Sequence, residues 1–491
     1  MDDVIPFAVI VAAAALAVLA AAASARISER IRVPTPAIFL VAASVLVDAF
    51  PRLGGLSVET NQRIVTVALI LILFDGGMHI GVRRFRPVAG PVLWVGIAGT
   101  FATAGALALA THTLFGFDWR AALLLSTALA PTDPAVVFSV LGRREIAGRT
   151  GTLLEGESGA NDPVGIALMV ALLGAHGAGP SAIGAVTVAF LQQMVIGAAV
   201  GIAGGTLLLW FMRRVPLPSE GLYALRVLFG ALTIYGLATA AQGSGFLAVF
   251  AAGILLGDER APYKREIERF HSSLASLGEI IAFTMLGLTI SLRDLQYGGS
   301  WWLGLLLAVA LAFVIRPLFA GLVLMPVRLR RNERIFVLWT GLKGAVPILL
   351  GTFILQAGVP GAPRAYEIIF VVVAFSVIVQ GGLVPALTRR LRIPLRVVEP
   401  EPWSLGVRFQ EEPEGLHRYQ VRAGSAADGA TVDTLPCGED VWVSFVIRDG
   451  RLVPVRGDTE MRAGDEVLIL ADDAPHLEAV FTERADNSST G

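Results

Sequence analysis

Long apolar stretches separated by short polar ones dominate the first four-fifths of the chain. Segments long enough to cross a bilayer, about 20 residues or fewer where protein covers them, lie at 4–25, 34–50, 62–80, 88–113, 119–141, 155–175, 181–212, 220–240, 244–257, 271–290, 300–325, 333–357 and 366–388. This pattern predicts an all-α polytopic membrane protein of about thirteen spans. The segment at 244–257 is short, and Gln242-Gly243 is the weakest of the divisions.

Loop charges test that count. Alternate loops carry clusters such as Arg26/Arg30/Arg32, Arg83/Arg84/Arg86, Arg143/Arg144/Arg149 and Arg389/Arg390/Arg392, while the intervening loops hold only scattered positives. The positive-inside rule then puts the N-terminus outside and the C-terminus in the cytosol. The first segment is not a cleavable leader, because Asp2 and Asp3 precede it and its arginines follow it, the reverse of a secretory signal.

Two spans are interrupted near their middles, at Ser126-Thr127-Ala128-Leu129-Ala130-Pro131-Thr132-Asp133-Pro134 and at Trp339-Thr340-Gly341-Leu342-Lys343-Gly344-Ala345-Val346-Pro347. Proline removes a backbone donor and blocks the helical ladder. Freed backbone groups persist at membrane depth only when buried or lining a cavity. The two breaks fall in the fifth and twelfth segments, each the fifth of a six-span half (1–6 and 8–13). Paired broken spans of this kind predict two inverted repeats with a binding site where the broken helices cross.

The segment after the first break begins Gly156-Glu157-Ser158-Gly159-Ala160-Asn161-Asp162-Pro163. An ionisable group at lipid depth is costly and is read first as functional. On a helix Glu157 and Asn161 share one face, with Asp162 about 100° round from Asn161.

Beyond about Arg396 the pattern changes. Prolines and glutamates mark a linker over 393–414, and short strand-like runs follow at Val441–Ile447 and Val467–Leu470, with Asp449-Gly450 as a hairpin turn. The expected organisation is a membrane domain (1–392), the linker, a small cytosolic α/β domain (415–484) and a disordered tail (485–491). Composition narrows the function further. With 55% hydrophobic residues, 16% charged residues and a net charge of −1, the chain has no basic field for nucleic acid. The single cysteine, Cys437, makes no internal disulfide and no thiolate metal site.

Leu73-Phe74-Asp75-Gly76-Gly77, Pro131-Thr132-Asp133-Pro134, the Gly156–Pro163 run and Gly341-Leu342-Lys343-Gly344-Ala345 together resemble the monovalent cation:proton antiporter family. Within it the chain is similar to bacterial sodium– or potassium–proton antiporters with a C-terminal potassium-uptake regulatory (TrkA-C-like) domain. That second likeness rests on Val446-Ile447-Arg448-Asp449-Gly450 and Ala463-Gly464-Asp465. The resemblance implies that Asp162 is the shared carboxylate for cation and proton. It implies that Ser158, Thr132 and carbonyls near Thr132 offer oxygens, and that Asp75 reaches the site through water. It also implies that Glu157 and Asn161 pair with a basic residue on the second broken helix, here Lys343 where the family usually has arginine. A homodimer and a small ligand at the C-terminal domain are further implications; no cofactor is implied.

Asp133 has two open readings, a second ion ligand or a counter-charge for a half-helix end. Glu279 reads as an acid near the cytosolic end of its span that snorkels to water, and His79, His112 and His176 as interfacial residues. A hard cation takes oxygen ligands, and a lone buried carboxylate needs either a proton or a cation as company. The two therefore compete for Asp162, and with neutral Asn161 beside it the expected exchange is one for one and electroneutral. Selectivity leans to potassium over sodium through the regulatory tail. A regulated potassium channel would need a Thr-Val-Gly-Tyr-Gly-type filter, which the chain lacks. A hydrolase elbow would need glycine at Ala160. A proton-coupled symporter of a neutral solute is the remaining alternative.

Overall fold

In the computed structural model the described residues are 34–51, 55–141, 144–146, 148–175, 180–259, 261–293, 295, 299–397, 416–437, 441–448, 451–471 and 477–482. The first expected span (4–25), His176, Asp449-Gly450, nearly all of the linker and the whole tail (485–491) lie outside them. The chain divides into two compact units, Met1–Ser404 and Leu405–Gly491.

The first unit is helical, and every other expected span coincides with a helix. These are α1 (Thr35–Ala49), α2 (Val58–Phe85), α3 (Ala89–Phe115), α4 (Trp119–Leu129), α5 (Ala135–Leu141), α6 (Arg149–Gly174) and α7 (Pro180–Arg214). There follow α8 (Glu220–Ala240), α9 (Gly245–Gly257), α10 (Lys264–Leu288), α11 (Ser300–Val323), α12 (Arg331–Trp339), α13 (Ala345–Gln356) and α14 (Ala362–Leu391). Among the described residues six helical stretches are long and apolar enough to cross a membrane; one of them contains both α2 and α3. Between α5 and α6 a short strand, β1 (Arg144–Ile146), pairs antiparallel with β2 (Leu395–Val397), which follows α14.

The weakest division is real. Gln242 adopts φ +63°, and Ser244 caps α9 by accepting from the Leu247 amide at 3.3 Å. At about 20 Å, α9 is shorter than the hydrocarbon core, and most of its residues are buried inside the protein. Glycines let it lie against α2. A Cβ on Gly253 would stand 2.4 Å from the Phe74 carbonyl oxygen, and one on Gly77 2.5 Å from that of Phe250. Small residues at a membrane helix crossing allow backbones to approach in this way. Gly81 breaks α2 at φ +62° and ψ 167°, a region open only to glycine, and the carboxylate of Asp258 fills the space beside it and accepts from the Arg83 amide.

Two helices carry π-type segments, Leu311–Ala320 within α11 and Ser376–Gly381 within α14. A wide turn of this sort re-aims side chains and recurs at functional sites. Arg316, Ser376 and Gln380 lie in these segments.

The second unit is an antiparallel sheet, not the expected α/β arrangement. Its order is β3 (Leu416–Gln420), β6 (Glu466–Leu470), β4 (Trp442–Arg448), β5 (Arg451–Val453). One short helix, α15 (Leu477–Thr482), supplies Leu477 and Phe481 to a core with Val446, Met461, Val467 and Ile469. Asp465, 1% exposed, takes a two-pronged contact from Arg448 at 2.8 and 2.7 Å and a third from the Arg462 amide at 2.8 Å. That satisfies a charge the core could not otherwise hold.

The α2–α9 contact yields a test. Gly253→Val forces side-chain atoms into the Phe74 carbonyl, and overpacking of this kind costs about 1–3 kcal/mol. We expect a lower melting temperature in detergent, read by fluorescence-detected size exclusion, whereas Gly105→Val, which meets open space, leaves it unchanged.

Candidate functional site

The first break separates α4 from α5 and the second separates α12 from α13, as the proline patterns predict. The two breaks touch directly. The Asp133 amide donates to the Leu342 carbonyl at 2.8 Å, and a Cβ on Gly344 would stand 1.8 Å from Asp133 Oδ2. Only glycine fits there.

Each break supplies the charge that the other lacks. Helix α4 ends with unpaired carbonyls, a partial negative charge. The ammonium of Lys343 donates to two of them, Ala130 O at 3.0 Å and Pro131 O at 2.9 Å. Helices α5 and α13 begin with unpaired amides, a partial positive charge. Asp133 answers both, accepting from Ala135 at 2.8 Å and from the Ala345 amide. Of the two readings open for Asp133, this geometry is the counter-charge.

Helix α6 runs beside the crossing, and its glycines set the distance. Gly156 meets Val92, Gly159 meets Phe250 and Gly165 meets Pro131 of the first break. Asn161 clamps that break from both sides, donating to Thr132 Oγ at 2.7 Å and accepting from the Thr132 amide at 3.3 Å. One residue on, Asp162 is 5% exposed and takes a long hydrogen bond from Ser158 Oγ, one turn back, at 3.4 Å. No donor among the described residues reaches its Oδ1, which is fully buried. Asp162, Ser158 and Asn161 are thus gathered on α6, with Thr132 held against them.

One expectation changes. Glu157 does not pair with Lys343. Its Oε1 accepts from Arg316 of α11 at 2.9 Å, with both side chains buried; the ammonium of Lys343 is committed to the carbonyls of the first break. Arg316 also donates to Leu338 O at 3.0 Å, so it closes the carbonyl end of α12 as Lys343 closes that of α4. Gly341 makes room for it, since a Cβ there would stand 1.9 Å from Arg316 Nε. Sequence reading overlooked Arg316, although an arginine before a proline inside an apolar run was a visible signal. It also overlooked Ser376, whose hydroxyl accepts from the Lys343 amide at 2.9 Å and donates to Gln380 Oε1 at 3.0 Å. Asp75 takes its contacts from Ser272 Oγ at 3.1 Å and His79 Nδ1 at 3.3 Å. His112 stacks on Trp119 at 4.1 Å.

Crossed broken helices beside a buried acid can be compared with known proteins. The family model described as the transmembrane sodium/hydrogen exchanger matches residues 14–390. The chain belongs to that family. It is therefore a membrane antiporter of cations and protons rather than an enzyme. It is 32% identical over 480 residues to the K(+)/H(+) antiporter NhaP of Alkalimonas amylolytica, covering 94% of this chain and 81% of that one. It is 27% identical over 343 residues to the Na(+)/H(+) antiporter NhaH of Halobacillus dabanensis, covering 67% and 83%. In fold the exchanger is similar to the sodium proton antiporter MjNhaP1 of Methanocaldococcus jannaschii, with a TM-score of 0.65 at 21% identity over 76% of this chain and 98% of that one.

The buried pair gives a sharp expectation. Removing one partner leaves an uncompensated charge and costs about 3–5 kcal/mol, while replacing both with apolar groups costs far less. Arg316→Met should therefore lower the melting temperature strongly, and Glu157→Leu with Arg316→Met should recover most of it. Thermal unfolding of the two purified variants checks this.

Proposed function

We propose that the exchanger moves one potassium ion, or sodium less readily, against one proton by alternating access, with Asp162 as the carboxylate both ions share. The observation that carries this is the state of that side chain: buried, ionisable, and with one oxygen lacking a protein donor. A lone charge there is expensive, so a proton or an alkali cation must accompany it.

The Ala130 and Pro131 carbonyls already accept from Lys343, Asp133 from helix amides and Thr132 Oγ from Asn161 Nδ2. Asp162, Ser158 Oγ and, through its second lone pair, Thr132 Oγ are the oxygens assigned to a hard cation. Because Asn161 is neutral, one carboxylate trades one charge for another and the cycle is electroneutral. Asp75, with Ser272 and His79, serves as a polar approach to the site. The preference for potassium is supported by the NhaP relative, a K(+)/H(+) antiporter.

In this reading the chain has thirteen spans in two inverted repeats, its N-terminus outside and its C-terminus in the cytosol. The reciprocal use of Asp133 and Lys343 supports the repeat relation, and the alternating arginine clusters support the orientation. We read 1–392 as the exchange domain, 393–414 as linker and 415–484 as a cytosolic regulatory domain that takes a small ligand. The working unit is a homodimer, and the exchange maintains pH and ion content.

The test is proton efflux from everted membrane vesicles on adding K⁺, Na⁺, Rb⁺ or Li⁺. Asp162→Asn keeps the size but can neither bind nor release a proton, so exchange should vanish while the protein still reaches the membrane. Undiminished exchange in that variant would overturn the proposal. Current that scales with transport in reconstituted membranes would overturn the one-for-one stoichiometry.

A further inference from the structure

A second acid in the membrane helices has no role in the scheme above. Glu279 is on α10, about 22 Å along the axis from Lys264 and about 13 Å before Leu288. That is past the middle of the helix. No donor among the described residues reaches its fully buried Oε1. Its neighbour Gly278 lies against α2, where a Cβ would stand 3.0 Å from the Ala68 carbonyl oxygen, so the helix is tightly seated at this depth. The residue is half-buried, and the one oxygen it turns inward is desolvated without a donor, which is costly for a carboxylate that serves only packing.

The surroundings of Glu279 form a line. Ser272, Ser276 and Glu279 follow one another at helical spacing along one side of α10. Ser272 Oγ donates to Asp75 Oδ1 at 3.1 Å, and Ser276 Oγ donates to the Ser272 carbonyl at 2.9 Å. Both hydroxyls spend their proton and keep oxygen lone pairs free. Beyond the line, Asp133 lies within electrostatic range of both Glu279 and Asp162. Hard oxygen atoms spaced along a helix, with an acid at each end and the crossing beyond, suit passage of an alkali cation.

We infer that Glu279 is a transient carboxylate ligand for the transported cation, the inner end of a polar track formed with Asp75, Ser272 and Ser276 that leads to the crossing. This rests on the exchange reading above. The cation halts at Glu279 with its charge balanced, then moves on to Asp162; the proton is handled at Asp162 alone.

The experiment measures exchange rate against K⁺ concentration in everted vesicles for wild type, Glu279→Gln and Glu279→Asp, with Asp162→Asn alongside. Losing the station's charge should raise the half-saturating K⁺ concentration by about five-fold or more in the Gln variant, and by less in the Asp variant. The rate at saturating K⁺ and its pH dependence should stay close to wild type. An unchanged half-saturation, or a fall in rate without a shift in half-saturation, overturns the inference. Where the Gln variant does not reach the membrane, the Asp variant decides by the same criterion. Exchange surviving in Asp162→Asn defeats the exchange reading. A silent Asp162→Asn with an unshifted Glu279→Gln defeats only the role of Glu279.

Discussion

Everything at the crossing depends on a trade between the two interrupted spans. A helix cut at mid-membrane exposes carbonyls at one stump and amides at the other, and no solvent is there to satisfy them. Lys343 from the second break covers carbonyls of the first, and Asp133 from the first covers amides of both. Neither break is stable alone. Arg316 performs the same service for the end of α12 and is itself neutralised by Glu157. The helix that carries Asp162 is thereby bound to the second broken span through Arg316.

That arrangement divides labour among charged groups that look alike in the sequence. Glu157, Asp133, Lys343 and Arg316 are committed to helix ends or to one another. Asp162 Oδ1 and Glu157 Oε2 are both buried without a donor among the described residues, but Glu157 already has a cation in Arg316, whereas Asp162 has only the long bond from Ser158. A site built this way can give its single uncommitted carboxylate to a proton or a cation without disturbing its scaffold, because the scaffold's charges are already balanced. Lysine at position 343 suits the task, since two carbonyls ask for a compact ammonium rather than a planar fork.

The positions of the breaks and the buried acid were legible because each follows from local chemistry: proline stops a helix, and a carboxylate resists lipid. Asn161, expected on Lys343, instead holds Thr132. What stayed hidden was partnership over long sequence distances. Lys343 reaches a stump some 210 residues earlier, and Arg316 reaches Glu157 from a helix whose π-type turn no periodicity announces. Family likeness assigned Glu157 to the wrong cation for the same reason, since it matches motifs in sequence and not side chains in space. In the second unit, strand positions were readable from alternation, but the connection between them was not. An antiparallel sheet whose last strand lies between β3 and β4 and an α/β unit share the same short β-rich runs.

The small ladder between β1 and β2 ties two distant parts of the first unit. It joins the residues between the first broken span and α6 to the residues that leave α14 toward the second unit. Paired strands yield little along their length, so the ladder behaves as a short inextensible tether. In the proposed cycle, any displacement of the residues between α5 and α6 would therefore carry β2 and the end of α14 with it.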